Sequence, residues 1–435
     1  MKTVIIGGGV SGLSMAYFLQ QKKSDYILFE KQPIVGGNAH TRIFMLNNKE
    51  RHVDMAVNDF NPKTYKILGS LLEATKSETG KVKVNTTFFG ESDLKFKESD
   101  IQDAELIENI TRFKHEAVEV LANNIYKDYA VKEYFEEKGY SKNFLTEYLY
   151  PRVQGLFFYP EEGIDHLSVY FVMNFYALQC GFSQNETPSS VRHNFKGGAG
   201  TWIKNLAAQI PAERIVRGEQ PIISKTEEGF KIVYSKGEIF ADKLVFACHA
   251  DDVYQNYSHL LTEQQSQIIS KVKYAKMVSV VHNDLHYLPV NKTDFSAYNC
   301  LVGDSNKANN NYTITYNCNE HQNLSEGGNN MACDEDIFFV TANPIRPIED
   351  KYIIKDVNGI PLVKEFSRNI CDFDLLQAQE QLRFQQGEGD IYFTGEYTNG
   401  IGLHENCLRQ SLKISESIEV DTMFSKKDQA KVIAA

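Results

Sequence analysis

Val4-Ile5-Ile6-Gly7-Gly8-Gly9-Val10-Ser11-Gly12-Leu13 is the stretch of this sequence whose reading decides the fold. The apolar run Val4, Ile5, Ile6 suits a strand buried in a parallel sheet, and Leu13, Ala16, Tyr17 and Leu19 share one face of the helix that follows. Between them the glycines stand where a pyrophosphate-binding turn needs them. Gly7 permits the tight turn, Gly9 lets the backbone approach a phosphate, and Gly12 lets the helix pack closely on the sheet. The helix that Val10 and Ser11 open presents free N–H groups and a partial positive charge to an anion. A second strand, Tyr26 to Phe29, ends at Glu30, eighteen residues past Gly12, where a carboxylate accepts hydrogen bonds from both ribose hydroxyls of an adenosine. Strand, turn, helix, strand and acid together predict a dinucleotide-binding unit, with NAD and FAD both open as its occupant.

Working outward, the pattern turns helical and aromatic from about Phe113 to Tyr176, with Tyr148, Tyr150, Phe157, Phe158, Tyr170, Phe171 and Phe175. Such density builds a core or walls an apolar pocket. Strand character returns at Lys231 to Tyr234, Lys243 to Ala247, Met277 to Val281, Tyr312 to Tyr316 and Ile337 to Thr341. The Asn-rich runs Asn306 to Asn311 and Asn317 to Asn330 read as exposed loops. A last unit follows: strand Ile391 to Thr394, a glycine loop, a helix from His404 to about Val420, and a frayed tail from Ser425 to Ala435.

Two segments narrow the occupant. Glu30-Lys31-Gln32-Pro33-Ile34-Val35-Gly36-Gly37-Asn38-Ala39-His40-Thr41 places a diglycine soon after the acid and a threonine beyond it. It resembles the corresponding segment of the flavin-containing amine oxidase superfamily (amine oxidase, protoporphyrinogen oxidase and phytoene desaturase type). Tyr392-Phe393-Thr394-Gly395-Glu396-Tyr397 and Gly400-Ile401-Gly402-Leu403-His404-Glu405 resemble that superfamily's closing strand, Gly-acid pair and glycine-led helix. Val53-Asp54-Met55-Ala56 is similar to a further family segment but carries Ala56 where the family has glycine. Phe195-Lys196-Gly197-Gly198, Ala247-Cys248-His249-Ala250-Asp251 and Val281-His282-Asn283-Asp284 are similar to a subgroup of FAD-binding proteins associated with cyclopropane-fatty-acyl-phospholipid synthases.

The resemblance implies an α/β fold, in which a Rossmann-like FAD-binding domain (1–75, 195–255 and 375–424) is interleaved with an α+β substrate domain (76–194 and 256–374). It implies non-covalent FAD, held by Gly7, Gly9, Val10, Ser11, Gly12, Glu30, Lys31, Gly36, Gly37, Asn38, Thr41, Gly395, Glu396, Gly402, Leu403 and His404, with the Ile222 backbone near the adenine. The final helix is expected to point its positive end at the flavin, where negative charge gathers on reduction. Lys276 stands roughly where amine oxidases hold a water against the flavin N5. His404 is a candidate to bond the flavin or to handle a proton near pH 7.

Composition sets outer bounds. The 435 residues exceed one ordinary core, so two domains are expected. Lys and Arg number 46 against 57 Asp and Glu, a net charge of −11 with no basic face to suit nucleic acid. The seven cysteines lack regular spacing and read as reduced thiols. Cys318, His321 and Cys333 lack a second CxxC, so no metal is expected. Without a signal-like start, and with Leu167 to Phe182 broken by Asn174 and Gln179, a cytoplasmic protein without a transmembrane segment is expected, peripheral membrane attachment staying open. The resemblance implies two functions, FAD-dependent oxidation of an amine or other small substrate, with dioxygen or another acceptor, and, from the subgroup, desaturation or isomerisation of an unsaturated acyl chain in an apolar tunnel lined by Tyr170, Phe171 and Phe175; a flavin-binding accessory protein without turnover is the third reading.

Overall fold

The computed structural model describes residues 1–90, 93–157, 161–181, 191–302, 313–324 and 336–423. Its organising element is a five-stranded sheet in the order Ile215–Arg217, Asp25–Glu30, Lys2–Ile6, Lys243–Phe246, Ile391–Phe393. Every neighbouring pair is parallel, with Ile5 opposite Leu28 on one side and Val245 on the other. The near-continuous apolar runs of these strands follow from burial on both faces. Ile5 faces a core shared with Leu13, Leu19 and Leu408, whereas Val4 and Ile6 face one shared with Phe230 and Ile232. Helices Val10–Gln21 and His404–Met423 cover the first face. The three-stranded antiparallel sheet Ile222–Thr226, Gly229–Tyr234, Gly237–Ala241 covers the second, where Phe29 meets Tyr234 edge-on at 5.3 Å.

A seven-stranded mixed sheet forms the other layer, in the order Val363–Asn369, Tyr274–His282, Phe339–Ala342, Thr313–Asn317, Tyr298–Leu301, Thr86–Phe89, Leu94–Lys97. Against it packs the helix Tyr150–Phe157, while the helices Ala104–Asn123 and Val169–Gln179 pack on each other. The expected strands at 277–281, 312–316 and 337–341 therefore exist with shifted ends. The other four strands of the sheet are not among those expected; of these Thr86–Phe89 and Val363–Asn369 carry no clean apolar alternation, the latter reading Val-Lys-Glu-Phe-Ser-Arg-Asn. Tyr312, Phe158, Phe182, Cys333, the Asn306–Asn311 run, residues 325–330 and the Ser425–Ala435 tail lie outside the described residues. Among the described residues no helix is long and apolar enough to cross a membrane.

The two ends of the sequence close on each other through one hydroxyl. Ser411, wholly buried in the last helix, donates to the Ser11 carbonyl in the first helix at 3.0 Å and lies 2.9 Å from the Thr394 hydroxyl at the end of the last strand. Replacing a buried partner leaves the other polar groups unsatisfied, at a cost of about 1–3 kcal/mol. Ser411→Ala is therefore expected to lower unfolding stability by about that much, read as a shifted urea midpoint with unchanged slope; an unshifted midpoint would show the junction to be energetically idle.

Candidate active site

The strand–turn–helix opening is held by contacts that tolerate no side chain. A Cβ at position 12 would sit 1.8 Å from the Gly7 carbonyl oxygen, and one at position 7, where φ is +109°, would sit 2.7 Å from the Ala247 oxygen. Gly36 donates to the Gly8 carbonyl at 2.8 Å and bridges Gly9 in parallel fashion, so the diglycine loop lies directly against the opening turn. Glu30 is buried beside it, accepting from the Gly8 amide at 2.6 Å and the Gln32 amide at 2.8 Å. A carboxylate has about four lone-pair directions, so hydroxyls can still be bound.

These elements open onto one cavity of about 930 Å³. Gly7, Gly9, Val10, Ser11, Glu30, Lys31, Gly36, Gly37, Asn38, Gly395, Glu396, Gly402, Leu403 and His404 all line it. The closing loop and the opening turn thus face the same space. At one end Lys31 pairs with Asp252 at 2.7 Å. Further along, Glu396 is buried with its Oε1 unbonded; His249 Nε2 lies 3.3 Å away, within ion-pair range but without hydrogen-bond geometry. Burial raises the Glu396 carboxyl above its usual range, against the lowering pull of His249 and Arg368. An orphaned buried oxygen, a glycine cradle and a helix N-terminus on one wall fit a dinucleotide with hydroxyls and a pyrophosphate.

Four of the residues expected at the cofactor or the chemistry lie off the cavity wall. Gly12 serves the helix–sheet packing only. Thr41 is a helix cap: it donates to Asp54 and accepts from the Gly200 amide at 2.7 Å, while both Asp54 oxygens accept from Ala199 N at 2.9 and 3.0 Å. Burial pushes Asp54 up to about 7, against the lowering effect of these donors. Ile222, 73% exposed, pairs with Val233 in the small antiparallel sheet; Gln32 and Asp252 line the cavity instead. Lys276 points to solvent, 74% exposed and 2.9 Å from Glu365, because strand alternation turns its neighbour Met277 inward.

His404 does line the cavity, packed edge-on against Trp202 at 5.5 Å. Burial lowers it to about 4, which holds the ring neutral near pH 7 and argues against a proton-handling role there. His282, bonded to Thr341 at 2.6 Å, is structural, whereas His249 stands on the cavity wall.

Beyond the glycine cradle the cavity enters a compartment walled by the second layer. Tyr65, Tyr148, Phe175, Tyr298, Tyr316 and Phe366 face it. Of the three aromatics expected to line an apolar tunnel only Phe175 does; Phe171 is core, and Tyr170 packs under Lys127. Two ion pairs stand in this wall. Arg192 reaches Asp59 at 3.0 Å, and Asp59 also accepts from Tyr298 at 2.7 Å and lies 3.0 Å from His321. Burial alone would raise Asp59, but Arg192, with His321 and Tyr298, holds its carboxyl well below the usual range. Arg152 pairs with Glu98 in the same way. The wall is polar because residues from 59, 98, 152, 192, 298 and 321 converge, a long-range fact that no local motif announces. Cys318 packs in the short helix with His321, whose Nε2 is turned to Asp59.

Residues 5–74 match the family model of the NAD(P)-binding Rossmann-like domain. Among curated proteins none matches the sequence. Among solved structures, the chain is similar to an engineered putrescine oxidase (TM-score 0.70, 12% identity, 96% of this chain and 98% of that one). It is similar also to cyclohexylamine oxidase from Brevibacterium oxydans IH-35A (0.66, 14%, 96% and 99%). A third is the CLA-producing fatty acid isomerase from P. acnes (0.66, 14%, 95% and 98%). Over nearly its whole length, this chain shares the α/β fold of these solved structures.

Proposed function

We propose that this chain is an FAD-dependent oxidoreductase that removes two electrons from a small organic substrate. One observation carries the reading: the glycine cradle and the walled compartment are parts of a single cavity, so a dinucleotide and a second molecule can meet inside it. The amides of Gly9, Val10 and Ser11 would hold the pyrophosphate, Glu30 the adenosine ribose, and Glu396 a further hydroxyl of the cofactor. Gly402, Leu403 and His404 bring the N-terminus of the last helix to the same space, where its dipole favours an electron-rich ring. Bound FAD supplies hydride acceptance at its ring, with dioxygen or another oxidant taking the electrons onward. The protein's own part is to orient the substrate and exclude water. The similarity to two amine oxidases and a fatty acid isomerase supports this class of chemistry.

Anaerobic mixing of the purified yellow protein with amines, amino acids and unsaturated fatty acids tests the reading. Bleaching of the flavin by one class is expected; no bleaching by any of them would favour the accessory-protein alternative. Non-covalent attachment predicts that acid precipitation leaves the colour in the supernatant, and a yellow pellet would refute it. Glu30→Ala is expected to weaken FAD binding by about 1–3 kcal/mol through lost hydrogen bonds to a charged acceptor, measured by titrating apoprotein with FAD.

The pH behaviour of His404 supplies a separate check. Its folded value, about 4, lies below the ordinary 6.5, so unfolding takes up a proton between those values. Its contribution is whole above pH 6.5 and is lost as pH falls through about 4. His404→Phe is expected to flatten the loss of stability over that window, compared by urea midpoints at several pH values; parallel curves would exclude a buried neutral imidazole.

A further inference from the structure

We infer that the compartment beyond the glycine cradle holds a carboxylate subsite, in which the substrate's carboxylate is received by Arg152 and Arg192. The inference rests on the flavin reading of the cavity and names the class of substrate it takes. The two guanidinium groups converge: each lies 4.0 Å from the same atom, Cys180 Sγ. Arg192 Nη1 serves Asp59 and Gln179, and Arg152 Nη2 serves Glu98 and Thr86, whereas among the described residues Arg192 Nη2 and Arg152 Nη1 meet no acceptor other than that sulfur. A thiol sulfur is a weak acceptor, so two charged donors converging on it leave room for a stronger one.

Charge balance identifies the acceptor. Glu365 is engaged by Lys276, and among the other described residues of the compartment Lys114, Arg152, Arg192, Lys364 and Arg368 stand against Asp59, Glu98 and Glu396. A cationic diamine would enter a region already in positive excess, with Asp59 and Glu98 engaged by arginines. A purely apolar chain would leave the N–H groups unsatisfied. A singly charged, planar acceptor matches what remains, because guanidinium donors meet carboxylate oxygens in a shared plane. Amino acids and fatty acids both present that group.

The matched probes hexanoate and hexanamide, alike in shape and different in charge, test the subsite on the yellow holoprotein. Binding is read as a saturable shift of the flavin absorbance and, independently, by calorimetry. Hexanoate is expected to bind at least ten-fold more tightly than the amide, and Arg192→Lys and Arg152→Lys, which keep the charge opposite Asp59 and Glu98, to lose at least ten-fold in hexanoate affinity at unchanged FAD content. Equal binding of acid and amide by the unaltered protein overturns the subsite without using a variant. Leucine and oleate then separate the sources: the tighter of the two, if it too is weakened by the lysine variants, names the natural carboxylate. A colourless protein, indifferent to FAD but still binding hexanoate by calorimetry, would sink the flavin reading and leave the subsite standing.

Discussion

The first helix can dock on the parallel sheet only because position 12 carries no side chain to collide with the Gly7 carbonyl. That approach sets the helix N-terminus at the carboxyl edge of the strands, and the rest of the cofactor half is arranged around it. The diglycine loop bonds back to Gly8, Glu30 turns its carboxylate to the same turn, and the last helix lies alongside, tied to Ser11 by Ser411. Any side chain at position 12 would push the helix outward and loosen all three at once. The chemistry of the cradle is therefore a consequence of backbone packing, not of a set of reactive side chains.

This is why the cofactor half was legible in the sequence. Glycines that permit a turn, an acid at a set spacing and a strand of continuous apolar residues are local features, and the local pattern carries the geometry. Where the reading went astray, tertiary context decided. Thr41 follows the diglycine as in the resembled segment, yet its hydroxyl and Asp54 satisfy the opening amides of a helix that begins at Ala199, about 160 residues on. Glu405, beside the expected His404, likewise caps the helix beginning at Lys66, accepting from Ile67 and Leu68. Lys276 stands where the resembled oxidases carry a lysine, but the strand's period of two turns it outward and Met277 inward.

The compartment was the least legible part, because its character arises from pairs far apart in the chain. Arg192 and Asp59 are separated by 133 residues, Arg152 and Glu98 by 54. Each residue alone reads as an ordinary surface charge; only the folded sheet and helices bring the partners together on the cavity wall. Ion pairs drawn out of bulk water gain little stability over an apolar filling of the same space. Their presence beside a cofactor-sized cavity is better understood as a surface prepared for a polar guest, and it separates this chain from what an aromatic-rich sequence suggested.

The hydroxyl that joins Ser411 to Ser11 spans 400 residues of sequence. On a ribosome adding about 5–20 residues per second, the glycine turn waits roughly 20–80 seconds before its partner helix exists. Throughout that interval the apolar face bearing Leu13 and Leu19 has no final covering, and the last parallel strand, Ile391–Phe393, is missing from its place beside Lys243–Phe246. The first strand and helix of this half therefore reach their final packing only after the last helix has been made.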